Sequence, residues 1–253
     1  MDAGESPVSI LLPRLEVTLI MNPDTSRSTL RSGLLGRTAQ PFCALLLLSA
    51  LAVTSAMAAI FTSSGPGDWA SAATWGGLGV PVAGDEVFIN HAVTLSGGAS
   101  AGQITVSANG SLAVGANILT INGTGLTEEF IDNAGTVSAA GGRISFSLNA
   151  LDAGTHLGEL RGAGTYSFTG TTTVRIASKA SNNAVQFNID TPADITIPIL
   201  EFFSPNTTNI INADIERALI GTRLDIRNRN VVLNGMQGPR YNTNATLRYN
   251  FSG

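Results

Sequence analysis

Downstream of residue 85 the chain is a succession of short apolar runs, each broken by glycine, asparagine or serine. Val87-Phe88-Ile89, Val93-Thr94-Leu95, Ile104-Thr105-Val106, Leu112-Ala113-Val114 and Ile118-Leu119-Thr120-Ile121 open the series. Thr173-Val174-Arg175-Ile176, Val185-Gln186-Phe187-Asn188-Ile189, Ile195-Thr196-Ile197, Leu224-Asp225-Ile226 and Val231-Val232-Leu233 continue it. Many alternate apolar with polar residues at period two, which predicts short strands with one buried face. Gly97-Gly98, Asn109-Gly110, Gly115-Ala116-Asn117 and Asn122-Gly123 separate the early runs, and they are expected to supply positive-φ turn positions. The best helical candidate is Leu126 to Ile131, with Thr127 as its cap.

Taken two or three at a time, the strands repeat every 20–25 residues or so, a spacing that predicts solenoid rungs. Asn133-Ala134-Gly135-Thr136-Val137 and Gly162-Ala163-Gly164-Thr165-Tyr166 share the form x-Ala-Gly-Thr-apolar. A single rung cannot bury its own Val, Ile and Leu side chains. Rungs stacked about 4.8 Å apart pair their backbones and turn those side chains into continuous ladders. The expected fold is therefore all-β: a single-stranded parallel β-helix, or β-solenoid, of right-handed coil. Evenly spaced strands also predict a β-sandwich, which stands as the alternative. An aromatic content of 6% suits a narrow aliphatic interior.

The N-terminal region reads differently. Arg27, Arg31 and Arg37 precede the apolar run Phe42 to Val53, which ends near Ala56-Met57-Ala58. Positive, apolar, then small-x-small is the layout of a secretory signal peptide. Residues 1–58 are accordingly expected to be an N-terminal extension and signal, cleaved near Ala58. Residues 59–253 would form the solenoid domain, with 62–85 as its N-terminal cap. The stretch from Pro41 to Phe61 is also long enough to span a bilayer as a retained anchor, although Ser49, Thr54 and Ser55 favour removal. The start is open between Met1 and Met21. Cys43, the one cysteine, lies inside the apolar run, so the exported part has no disulfide framework and no thiolate metal site.

Charge is unevenly placed. Residues 38–142 contain no lysine or arginine, and from Ala59 to Gly142 the charges are Asp68, Asp85, Glu86, Glu128, Glu129 and Asp132. Such an acidic half argues against nucleic acid, which needs a basic face. The late arginines, among them Arg217, Arg223, Arg227, Arg240 and Arg248, alternate with acids and apolar residues and read as a solvated strand face. His91 and His156 have no neighbour at metal-ligand spacing. There is no nucleophile elbow, zinc-binding pair or phosphate loop. Paired carboxylates on a groove remain the one enzymatic option. No cofactor is expected. If an ion binds, the residues to hold it are Asp85 and Glu86 or Glu128 and Glu129, and the ion is calcium.

Gly67-Asp68-Trp69, Ala73-Thr74-Trp75-Gly76-Gly77 and Pro81-Val82-Ala83-Gly84-Asp85 fall in order ahead of the first strand. Over about residues 65–125 the chain resembles the eight-glycine extracellular domain and the opening of exported bacterial β-repeat surface proteins. That resemblance implies a secreted or surface β-coil, attached in many members to adhesive or polysaccharide-acting modules. On physical grounds Trp69 and Trp75 would cover the open end of the coil. Their functional alternative is stacking against a sugar.

The expected function is an exported, cell-surface structural or adhesive protein without catalysis. The alternative is a carbohydrate-binding or polysaccharide-acting β-helix. Expected partners are a surface glycan or another surface protein. The membrane is met only through the signal segment, and self-association is expected at the C-terminal end.

Overall fold

The computed structural model describes residues 58–123, 128–148, 156–178, 184–204, 210–227, 231–234 and 240–249. The segment read as a signal, up to Met57, lies outside the described residues.

The chain coils into a β-solenoid of about six turns. Every strand pair among the described residues is parallel, which excludes the sandwich there. The first sheet stacks Ile60–Thr62, Glu86–Ile89, Gln103–Val106, Glu128–Asn133, His156–Arg161, Val185–Asp190, Ile211–Asp214 and Val231–Asn234 in that order. The second stacks Gly67–Asp68, Ala92–Thr94, Ser111–Gly115, Thr136–Ala140 and Thr165–Thr169. The third runs through Ala99–Ala101, Ile118–Ile121, Arg143–Leu148, Thr173–Ser178, Ile195–Phe203 and Ala218–Arg227, and both Arg240–Tyr241 and Thr246–Tyr249 pair with the last of these. Rung length varies: Glu86 faces Gln103, 17 residues on, whereas Arg143 faces Thr173, 30 residues on.

The period-two runs do what their pattern dictates. In Gln103–Val106 the burial alternates, with Ile104 and Val106 inside. Leu119, Ile144, Val174, Leu200 and Leu224 form one inward column of the third sheet, each facing the next and each fully buried. Ile121, Phe146, Ile176, Phe202 and Ile226 form its neighbour. Each fully buried Val, Ile, Leu or Phe contributes about 1.5–3 kcal/mol, so the ladders outweigh any local preference of a single run.

That dominance explains why residues 128–131 of the expected helix form a strand instead, Leu126 and Thr127 lying outside the described residues. Glu128–Asn133 is a strand, paired to Gln103–Val106 on one side and to His156–Arg161 on the other. Two flanking ladders satisfy its backbone, and Ile131 drops into the core at 0% exposure. The helical turn that does form among the described residues is a 3-10 turn at Ala72–Trp75, closed by Gly76 in the left-handed region.

The two x-Ala-Gly-Thr segments occupy one corner of successive rungs, with Thr136 facing Thr165 and Val137 facing Tyr166. Glycine is required there for space. A Cβ on Gly135 would lie 2.2 Å from the Gly110 carbonyl oxygen, and one on Gly164 would lie 2.6 Å from that of Gly135. Of the separator glycines expected at positive φ, Gly115 takes one, 61°, whereas Gly97, Gly98, Gly110 and Gly123 do not. A Cβ on Gly110 would instead strike the Ile89 carbonyl oxygen.

Candidate functional site: a cap, a groove and three faces

Trp69 and Trp75 are 2% and 0% exposed. Their rings meet edge to face at 5.1 Å, and Phe61 adds a second edge contact to Trp75 at 6.2 Å. The Trp75 indole N–H donates to the Trp69 carbonyl at 2.7 Å, and the Thr74 hydroxyl donates to the Asp68 carbonyl at 2.7 Å. The pair therefore fills the interior of the first rung, and neither ring presents a free face to a pyranose. Beside it a cleft of about 500 Å³ runs between Val80-Pro81-Val82 and the outer side of Ile118 and Thr120, with Trp69 in its wall.

Asp85 is a turn residue. Its carboxylate accepts from the Ala59 amide at 2.9 Å and from the Val82 amide at 2.8 Å, which ties the loop after the 3-10 turn to the first strand. Glu86 points outward and is half-buried, and Glu128 is outward and exposed. Glu129 points the other way, is fully buried, and accepts from the Gly123 amide at 2.7 Å. The strand pleat thus separates the two adjacent glutamates. Among the described residues no three histidine, cysteine or acidic side chains gather in a way that could hold a metal ion. His91 lies at a corner, its Nδ1 2.9 Å from the Ser63 carbonyl oxygen, and His156 begins a strand of the first sheet.

The outward positions show an order that sequence did not reveal. On the first sheet they carry Glu86, Glu128, Asp132, Glu159, Asp190 and Asp214 against the single base Arg161. Arg161 stands between Asp132 and Asp190 in register. It binds Asp132 at 3.2 Å and Glu159 at 3.1 Å, and it stacks on the Phe130 ring at 3.8 Å. Burial acts to lower the Arg161 pKa, but hydrogen bonds and charge from Glu159 and Asp132 more than offset it, leaving it raised.

On the second sheet, from Ala92 onward, the outward residues are Ala92, Thr94, Ser111, Ala113, Thr136, Ser138, Ala140, Thr165, Ser167 and Thr169, without a charge. On the third they include Arg143, Arg175, Arg223, Arg227 and Arg248 against Glu201 and Asp225. Glu201 is 6% exposed and takes Arg175 at 2.9 Å and Arg227 at 3.0 Å. The Arg175 contact at Nε is close but poorly directed, and its guanidinium also covers Phe203 at 4.4 Å. Asp225, 2% exposed, is held by Arg223 at 2.7 Å. The late arginines therefore do alternate with acids, but coiling gathers most of them on one side. Tertiary register, invisible to charge counting along the chain, does the sorting.

The second sheet ends at Thr165–Thr169, and the short link Thr191–Asp194 carries the chain straight from the first sheet to the third. The step leaves a groove of about 680 Å³ lined by Glu159, Asp190, Asp214, Glu216 and Arg217, with Asn188 on its floor. It brings acids beside an arginine, and no local pattern marks it, because Glu159 and Arg217 stand 58 positions apart.

Comparison with protein-family models, with curated proteins and with solved structures finds no match to this chain. The architecture nonetheless defines its class, a β-helical repeat protein.

Proposed function

We propose that the chain is an exported structural or adhesive β-solenoid that presents polar faces for binding or assembly, without catalysis. The observation that carries this reading is the sorting of outward residues into an acidic, an uncharged hydroxyl-rich and an arginine-rich face along one continuous stack. Such faces repeat a chemical group every rung, about 4.8 Å apart, which suits extended contact with a surface better than capture of one small molecule. The signal-like segment before Ala58 supports export. The tryptophan and Gly84-Asp85 pattern supports kinship with the eight-glycine extracellular domain, and the buried tryptophans suit a cap more than a sugar platform. Expected partners are a surface glycan or another surface protein. The test is N-terminal sequencing of the chain recovered outside the cell, together with binding of purified protein to glycan arrays. Retention in the cytoplasm, or turnover of a polysaccharide, would overturn the reading.

A second reading has one observation in its favour. The groove at the end of the second sheet places Glu159, Asp190, Asp214 and Glu216 near Arg217, an arrangement suited to binding or cleaving a polysaccharide. Incubation with acidic and neutral polysaccharides, read by release of reducing or unsaturated ends, tests it. No product with any of them would remove it as an enzyme, and no binding on the arrays would remove it altogether.

A further inference from the structure

We propose that the acidic first-sheet face of one copy packs against the arginine face of a second copy, solenoid axes aligned, in a salt-sensitive lateral array. The proposal rests on the assembly reading above and names its partner: another molecule of this chain.

Charge complementarity carries the argument. The acidic face holds Asp190 and Asp214, which make no ion pair among the described residues, while its one base, Arg161, is already engaged. The arginine face holds Arg143 and Arg248, likewise without an ion pair among the described residues, while its two acids are already taken up by Arg175, Arg227 and Arg223. Each face therefore has internal pairs that fix its side chains and a residue of unmatched charge of opposite sign. Both faces are parallel sheets with the same spacing of about 4.8 Å between strands, so charges on one can stay in step with those on the other over several rungs. The second sheet, uncharged from Ala92 onward, offers no competing electrostatic partner there.

Dimensions set the strength. Eight strands give the first sheet a length of about 34 Å, and about five residues per strand give a width of about 17 Å. A contact of this size buries roughly 1,100 Å² in total, in the class of weak, reversible interfaces. Because the two surfaces differ, each added copy still presents one free face of each sign. The contact does not close, and an open array follows.

Sedimentation velocity of the exported chain tests this. Near 0.01 M salt the Debye length is about 30 Å, and near 1 M it is about 3 Å. The wild type is expected to sediment as concentration-dependent oligomers at the low value and as monomer at the high one. Asp190→Arg with Asp214→Arg puts bases at the two unpaired acids of the first face and removes most of its net negative charge, and Arg143→Glu with Arg248→Glu makes the first and third faces both acidic. Each double variant alone is expected to remain monomeric at low salt, and a one-to-one mixture is expected to recover assemblies. A wild type monomeric at every salt concentration overturns the proposal without need of variants. So does a mixture that fails to associate while both partners retain the wild-type circular dichroism. Polygalacturonate bound by the arginine face of a wild-type monomer would likewise assign that face to a polyanion and overturn it. None of these outcomes touches export or absence of turnover, so failure here is separable from failure of the assembly reading.

Discussion

Gly135→Ala probes the close approach of rungs at the corner between the first and second sheets. The added Cβ would stand 2.2 Å from the Gly110 carbonyl oxygen and 2.3 Å from that of Ser107, against an ordinary contact of at least 3.4 Å. Both obstacles are backbone, so no side chain can rotate away. Clearing them needs a displacement of about 1.2 Å, beyond what close-packed rungs absorb. That movement would stretch the bond from the Ala134 amide to Val106, now 2.8 Å, and the bond from the Thr136 amide to Gly110, now 3.2 Å. Both would pass out of hydrogen-bonding range. Two lost bonds at about 1 kcal/mol each, plus about 1–3 kcal/mol of overpacking, outweigh the 0.4–1 kcal/mol or so that alanine returns by stiffening the unfolded chain. The net expectation is a loss of about 3 kcal/mol. Urea unfolding followed by circular dichroism should show it as a fall in midpoint of about 1 M. Gly97→Ala is the control, since a Cβ there meets nothing within 4 Å, and its midpoint should stay at the wild-type value or rise slightly through the stiffer unfolded chain. Equal midpoints for the two variants would refute the steric argument.

Three further outcomes follow from named contacts. Trp75→Phe removes the indole donor to Trp69 and part of the first-rung filling, at a cost of about 2 kcal/mol in urea unfolding; an unchanged midpoint would show that the rung is closed by something else. Asp225→Asn leaves Arg223 without its carboxylate on a side chain that is 31% exposed, so the loss should be about 1–3 kcal/mol and should not exceed the buried-pair range. The Tyr166 phenol, burdened by burial and then by the negative charge of Asp132, is held well above its ordinary value of 10.0. Stability should therefore be fully present below pH 10. Above it the unfolded chain ionises and the folded one does not, so stability falls by up to about 1.4 kcal/mol per pH unit. Tyr166→Phe should abolish that alkaline slope in equilibrium unfolding, and a slope that persists would place its origin elsewhere.

Much of the coil was legible because its signal is local. Period-two runs such as Gln103–Val106 and Thr173–Ser178 declare an inward face, and glycine marks the corners between them. Asp85 as a turn anchor could also be read, since a short acid before a strand seeks backbone amides. What escaped depends on register between distant rungs. Glu128 and Glu129 look alike in sequence, yet the pleat sends one to solvent and the other into the core. Glu129 is fully buried facing Gly158 of the next rung, and nothing adjacent to it in sequence announces that. The groove around Asp190 and Asp214 exists because the second sheet stops three rungs before the first, a change of cross-section with no local marker. The arginine face is the same kind of feature: Arg143, Arg175 and Arg223 are 32 and 48 residues apart in the chain and come together only through strand pairing.

Outward residues one rung apart form columns on a single face. Ser138 and Ser167 face each other in register on the uncharged sheet, with Cα atoms about 4.8 Å apart and within disulfide reach. In a Cys43→Ser background, Ser138→Cys with Ser167→Cys should form an intramolecular disulfide on mild oxidation, detected by intact mass and non-reducing electrophoresis. Ser138→Cys with Thr120→Cys, whose partner stands on the third sheet, should not. Efficient bridging of the second pair, or none of the first, would contradict the stacked, face-sorted coil.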